Sequence, residues 1–401
     1  MAVKNVIKIS PVEAGIKRKL RKHLANLGFK RDKNGNLSLP DNSKETVRRL
    51  HSPQREEILE VQSEFIRLKF HKLANYFASG KDVNPTKISV RLERVESKTW
   101  QGDLFRLASL TWAVPVSSGF GRRLRFLVWD DYNGKLIGII AIGDPVFNLA
   151  VRDKFIGWTG EDRGSRLVNI MDAYVLGALP PYNLLLGGKL VACLVRSLEV
   201  YQEFQHQYGD ATGIISKESK SSRLLAVTTS SSMGRSSVYN RLKLDGINYM
   251  QSIVFSGGWG HFHVPDDLFN EFRTYLRDEG HDYADLHSYG QGPNWRIRVI
   301  RAALSSLGFK GDLLKHGIQR EVFISLLADN ARKILCDGTG KPKISNLHNV
   351  NAISLAACER WLIPRAERMP EFKEWDAKNI AKLICGHEKL ANHATAERKI
   401  K

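Results

Sequence analysis

The sequence has little cysteine, too little acid to balance its base, and no long apolar run. Its four cysteines, Cys193, Cys336, Cys358 and Cys385, stand far apart without a C-x-x-C pair. Neither a disulfide framework nor a zinc knuckle is indicated, and a reducing compartment fits. No stretch approaches the ~18 consecutive apolar residues of a membrane-crossing helix. The opening MAVKNVIKISPVEAG lacks the apolar core of a signal peptide. These absences lead us to expect a cytoplasmic protein with no membrane partner. No repeat period is visible, which argues against a solenoid.

What is present is an ordinary globular composition, 42% hydrophobic and 26% charged over 401 residues. The 61 Lys plus Arg outnumber the 42 Asp plus Glu, leaving a formal charge of +19. Such a field attracts polyanions, so nucleic acid is the expected partner, with DNA the leading candidate. A homo-oligomer is left open.

Read in order, residues 1–110 form a basic, mainly helical region. Pro11 to Leu27 repeats Ile16, Leu20, Leu24 and Leu27 before Gly28, a cationic amphipathic helix that offers Lys17, Arg18 and Arg21 to phosphates. Ser52-Pro53 reads as a second helix start, with apolar spacing continuing to Gly80. Residues 111–264 read as an α/β domain. Leu124 to Trp129 and Leu136 to Gly143 flank Tyr132-Asn133-Gly134, and Asn-Gly between such runs predicts a hairpin. Leu167 to Leu176 reads as a strand buried on both faces. After the Pro180-Pro181-Tyr182-Asn183 loop a helix is expected from Asn183 to about Gln207, and another strand from Leu224 to Thr229. Residues 265–345 read as a second helical region, including Asn294 to Leu307 and Ile318 to Leu335. Residues 346–401 read as C-terminal helices and a polar tail. The fold class is therefore α/β (α+β): a mixed central sheet flanked by N- and C-terminal helical regions.

Several blocks together resemble the Druantia anti-phage defence protein A family. They are Leu124 to Gly143, GDPVFNLAVRDKFIGW (Gly143 to Trp158), MDAYVLGALPPYNLLLGGKLVA (Met171 to Ala192), TSSSMGRSSVYNRL (Thr229 to Leu242), GGWGHFHVPDDLF (Gly257 to Phe269), GPNWRIRVIRAALSSLG (Gly292 to Gly308) and HGIQREVF (His316 to Phe323). The resemblance implies a bacterial immune role beside other proteins of a Druantia system. It carries no residue-level chemistry with it.

The middle blocks also resemble the GCN5-related N-acetyltransferase fold, in which a hairpin leads to a strand, a phosphate-binding turn, a helix, another strand, and a helix bearing a Tyr that protonates the departing thiolate. The resemblance makes the central sheet acyltransferase-like and implies Tyr239 as that acid. The fold's Arg/Gln-x-x-Gly-x-Gly/Ala pattern is missing here. Pro180-Pro181-Tyr182-Asn183 and then Gly187-Gly188-Lys189 stand in its place, so the cofactor is left unknown.

Further candidates come from the residues themselves. Small residues at a helix start let a backbone or an anion approach, so Asn183, Gly187, Gly188 and Lys189 are the cofactor-binding candidates. Close helix-to-sheet packing would use the same glycines. Asp172, a carboxylate inside an apolar strand, must be paired or functional; it joins Tyr239 as a catalytic candidate, with an ion pair to Arg152 or Arg163 as its other role. His261 and His263 share one side of a strand-like stretch, yet two ligands are no metal site, and no metal is expected. Asp130, Asp131, Asp144 and Asp153 follow no metal-nuclease spacing. Along the helix from Asn294, Ile297, Ile300, Leu304 and Leu307 should point inward, leaving Trp295, Arg298 and Arg301, with Arg296, to meet nucleic acid. Two functions stay open: a nucleic-acid-binding defence component without catalysis, or an enzyme modifying a nucleobase or protein amine. An assembly scaffold is the third reading.

Overall fold

The computed structural model describes residues 10–31, 37–39, 43–117, 121–209, 222–257, 261–284, 295–309 and 318–385, with the single residues 41, 119 and 313. The chain folds as two compact units: Met1–Ile58 with Gly258–Gln319, and Leu59–Gly257 with Arg320–Lys401. Principal helices are α1 (Pro11–Asn26), α2 (Lys44–Val61), α3 (Gly187–Leu194), α4 (Leu198–Tyr208), α5 (Asp266–Asp278) and α6 (Trp295–Ser306).

The larger unit is built on a seven-stranded sheet. Its strands are β1 (Val90–Arg94), β2 (Arg123–Asp130), β3 (Lys135–Gly143), β4 (Ile170–Ala178), β5 (Ala226–Ser230), β6 (Gln251–Phe255) and β7 (Glu321–Leu326). Their order is β6-β7-β5-β4-β3-β2-β1. Among the described residues every neighbouring pair is antiparallel except β4 with β5. The Asn-Gly hairpin forms as expected between β2 and β3, where Gly134 takes φ +66° and its amide bonds the Asp130 carbonyl at 2.8 Å. The mixed sheet flanked by helices is the fold class the patterning predicts.

In the smaller unit α1 and α6 both pack on α5. Ile16, Leu20 and Leu24 of α1, Leu268, Phe272 and Leu276 of α5, and Val299, Ile300 and Leu304 of α6 are buried. Those spacings are helical on all three elements. Two cationic helices far apart in sequence thus share one core.

Several local expectations fail for identifiable reasons. The run expected as a helix from Ile318 to Leu335 begins instead with β7, bonded to β5 and β6, and only Ala331–Asp337 is helical. A short apolar run is ambiguous in period, and here pairing on both sides decides it. The helix expected from Asn183 to Gln207 starts at Gly187 and breaks before Leu198. At the break Ser197 caps α4, and Arg196 donates to the carbonyls of Leu326 (2.8 Å) and Asn346 (2.7 Å). Pro53 lies inside α2 and does not start it. Pro has no amide to offer the carbonyl four residues back, and the Ser52 hydroxyl bonds that Arg49 oxygen at 3.1 Å. Strands β1 and β6 have no counterpart among the elements expected from the sequence. Asn294, the loop 210–221 and the tail from His387 lie outside the described residues.

Candidate functional site

The first candidate is a fork in the sheet. β4 and β5 pair only at Ile170↔Ala226, Met171↔Val227 and Asp172↔Thr228. Past that register β4 continues to Ala178 while β5 ends at Ser230. Backbone carbonyls left beside a parting strand need other donors, and side-chain hydroxyls supply them. Thr229 Oγ1 donates to the Ala173 carbonyl at 2.8 Å, and the Tyr239 hydroxyl donates to that of Leu176 at 2.9 Å. A register shift against β3 between Ala141 and Ile142 puts a bulge in β4 at this level, a feature that re-aims side chains beside sites.

Asp172 sits where the strands part. Thr228 Oγ1 donates to its Oδ1 at 2.8 Å. Burial raises its pKa to about 6, against the opposing pull of that hydrogen bond and of the Arg152 charge. The expected ion pair with Arg152 or Arg163 is absent. Both arginines bind Asp153, at 2.7 and 3.3 Å, and Arg152 reaches Asp172 only through its field. Tyr239 lies in a turn rather than on the helix that the acyltransferase resemblance implies. Its ring meets Phe323 edge-on at 5.5 Å. Burial first, then the Asp172 charge, push its pKa upward and hold the phenol protonated.

The start of α3 faces the same turn. Lys189 Nζ donates to the carbonyls of Val238 (3.3 Å) and Asn240 (3.4 Å), on either side of Tyr239, and lies 5.5 Å from the Trp361 ring centroid. Asn183 is exposed in the preceding loop. The structure therefore brings Tyr239 and Lys189 together beside the C-terminal half of β4, where Leu176 accepts from the Tyr239 hydroxyl, while Asp172 lies four residues back along the strand, at the last pair with β5. The leading amides of α3 are occupied: Gly187 N bonds Tyr182 O at 2.8 Å and Lys189 N bonds Leu186 O at 2.9 Å. The two glycines differ. A Cβ on Gly187 would stand 2.6 Å from the Tyr182 carbonyl, whereas one on Gly188 would meet only Val238 at 3.4 Å. Gly187→Ala is expected to lower stability by about 1–3 kcal/mol through overpacking, while Gly188→Ala changes it little. Urea unfolding midpoints of the two variants check this; equal midpoints would remove the packing role of Gly187.

Sequence reading also missed the tie that seats this loop. Tyr182, fully buried, donates to Asp130 Oδ2 at 2.8 Å and accepts from Asn133 Nδ2 at 2.9 Å. Its only sequence signal was a Tyr after two prolines.

The second candidate is the basic face of the smaller unit. Arg18 and Arg21 of α1 and Arg298 and Arg301 of α6 are exposed. Lys17 is bonded to Glu13 at 2.5 Å. Arg21 lies 5.9 Å from the ring of Phe309, just beyond α6. Two residues expected to face outward are instead engaged inside the unit. Arg296 holds the Asp266 carboxylate and the Val264 carbonyl, with its guanidinium 4.2 Å from the Phe269 ring centroid. Trp295 packs edge-on to Phe269 at 5.4 Å, beneath Arg273. An open concavity of about 650 Å³ is lined by His281, Arg298, Arg301, Ala302, Ser305 and Ser306. The two histidines of that strand-like stretch diverge: His263 Nε2 bonds Glu57 at 2.6 Å, and His261 Nε2 lies 3.1 Å from Arg301. Among the described residues no three His, Cys, Asp or Glu side chains converge, and no helix is long and apolar enough to cross a membrane.

Fold and sites together define a mixed α/β protein with a sheet forked at its parallel pair and a separate basic helical unit. The chain belongs to the Druantia protein DruA family, whose family model matches residues 41–337. The Druantia protein DruA of Escherichia coli (strain UMEA 4076-1) is 60% identical to it over 379 residues, 94% of either chain. It is accordingly a component of a Druantia anti-phage system. No solved structure matches it.

Proposed function

We propose that this Druantia component grips nucleic acid, DNA by preference, through its basic helical unit, and works in the cytoplasm beside the other proteins of its system. The observation that carries the reading is the joint packing of α1 and α6 on α5, which gathers exposed arginines from two segments far apart in the +19 chain into one small unit. Each phosphate neutralised releases condensed counterions, so log affinity should fall against log salt with a slope of about −0.9 per contact on duplex DNA. Reversing Arg18 and Arg21, or Arg298 and Arg301, should flatten that slope and weaken binding to all sequences alike. Arg296 is unsuitable for this purpose, because it is already engaged by the Asp266 carboxylate and the Val264 carbonyl. Absence of wild-type binding at ~50 mM salt, where screening is weakest, sinks the reading and leaves an assembly scaffold.

The fork favours a second reading, an acyltransferase-like enzyme that modifies a nucleobase or protein amine. Its support is the order hairpin, strand, turn, helix and parallel strand, with a protonated Tyr239 and a carboxyl titrating at about 6 where the strands part. Tyr239→Phe removes one hydroxyl and keeps the ring. Undiminished phage resistance in that variant leaves this reading without its acid.

A further inference from the structure

We propose that the concavity on α6 receives a terminal phosphomonoester, so that the basic unit recognises nucleic-acid ends; this rests on the nucleic-acid reading of that unit. Arg298, Arg301, Ala302 and Ser305 stand at positions i, i+3, i+4 and i+7 of one helix and therefore share a stripe. Ser306 follows, and His281 enters from the turn after α5. None of the lining residues is acidic. Side chains three apart on a helix have Cβ atoms about 5–6 Å apart, so one phosphate can be held between the two guanidiniums. Ala302 leaves only a methyl group on the floor between them.

The donor set decides which phosphate fits. An internal phosphodiester offers two free oxygens and one negative charge. A terminal monoester offers three strong acceptor oxygens and about −1.5 to −2 charges at neutral pH. Two guanidinium forks and the Ser305 hydroxyl already exceed what the diester can use, and they match the monoester. Arg301 touches His261 through one nitrogen (3.1 Å), and Ser306 Oγ lies 3.2 Å from the Tyr275 hydroxyl. A guanidinium has five N–H donors, so Arg301 keeps most of its capacity. The C-terminal end of α6, at Ser306, disfavours anions through its dipole, so binding must come from the arginines.

The test is fluorescence anisotropy of the full chain against one short labelled duplex bearing 5′-phosphate, 3′-phosphate or hydroxyl ends. Phosphorylated ends of one polarity or both should bind about tenfold more tightly, the effect of one good charge-assisted contact. The double variant Arg298→Gln, Arg301→Gln should lose that preference while its thermal unfolding stays at the wild-type temperature. Equal affinity for all ends overturns end recognition and leaves the general grip intact. Competition by a free mononucleotide as strong as by the phosphorylated duplex also overturns it. Failure to bind any of the duplexes removes the nucleic-acid reading itself.

Discussion

Replacing Arg152 by Met is expected to destabilise the larger unit by about 3–5 kcal/mol, the usual consequence of removing one partner of a buried ion pair. Arg152 is fully buried. Its Nε and Nη2 donate to Asp153 Oδ1 at 2.9 and 2.7 Å, and its Nη1 and Nη2 donate to the carbonyls of Val146 and Phe147 at 2.8 and 2.9 Å. The guanidinium also lies 5.7 Å from the Trp158 ring, and that indole donates to Leu335 O at 2.6 Å. One side chain thus ties the loop after β3 to the helix Ala150–Ile156 and to Asp153. Met fills the volume but offers no donors, leaving two carbonyls and much of a buried carboxylate without partners. Arg152→Lys should recover only part of the loss, because a single ammonium cannot reproduce the planar fork. A thermal midpoint lowered by roughly 10 °C is the expected reading. A shift under about 2 °C would show that the clamp is not holding the unit together.

The parts of the fold legible in the sequence are those set by neighbours along the chain. Asn133-Gly134 between two β-rich runs marks the hairpin because the four-residue loop between Asp130 and Lys135 closes on a residue of positive φ, Gly134, which glycine adopts without strain. The isolation of Asp172 in an apolar strand marks it without reference to any contact. What was illegible is set by distant partners. The Glu321–Leu326 run becomes a strand because β5 and β6 bond it from both sides. Arg296 and Arg298 are both read from the sequence as nucleic-acid candidates, yet Asp266 and the Val264 carbonyl capture only the first. Gly187 and Gly188 carry the same signal in the sequence, yet the Tyr182 carbonyl lies against only the first. The meeting of Tyr239 with the Leu176 carbonyl, 63 positions back in the chain, has no local signal. The likeness of the chain to its Escherichia coli relative identifies the system it serves; the chemistry must come from such contacts.

Asp172→Asn is expected to stabilise the protein at neutral pH while abolishing any function that needs a carboxylate in the fork. The folded carboxyl titrates at about 6, against about 3.9 in an unfolded chain. Between those values the folded state holds a proton that the unfolded state has released. Stability therefore falls as pH rises through this window, and the penalty is complete above about pH 6. Lifting a carboxyl from about 4 to about 6 on folding corresponds to about 3 kcal/mol. Because Asp172 is half-buried rather than sealed, solvent screening reduces that, and a gain of about 1–2 kcal/mol is the expected size. Asn keeps an oxygen to accept the Thr228 hydroxyl that now donates to Oδ1 at 2.8 Å, so the hydrogen bond survives and only the desolvated charge is lost. Unfolding midpoints of the two proteins should differ most near pH 7.5 and converge by about pH 4. A variant that is less stable at pH 7.5 would mean that the ionised carboxylate is a structural partner and the sign of the argument is wrong. A variant that is more stable and still resists phage fully would relieve Asp172 of any catalytic part. Higher stability with lost resistance is the pattern of a charge kept at a functional site against the interest of the fold, and it would set the fork, rather than the basic unit, as the place to look for a reaction.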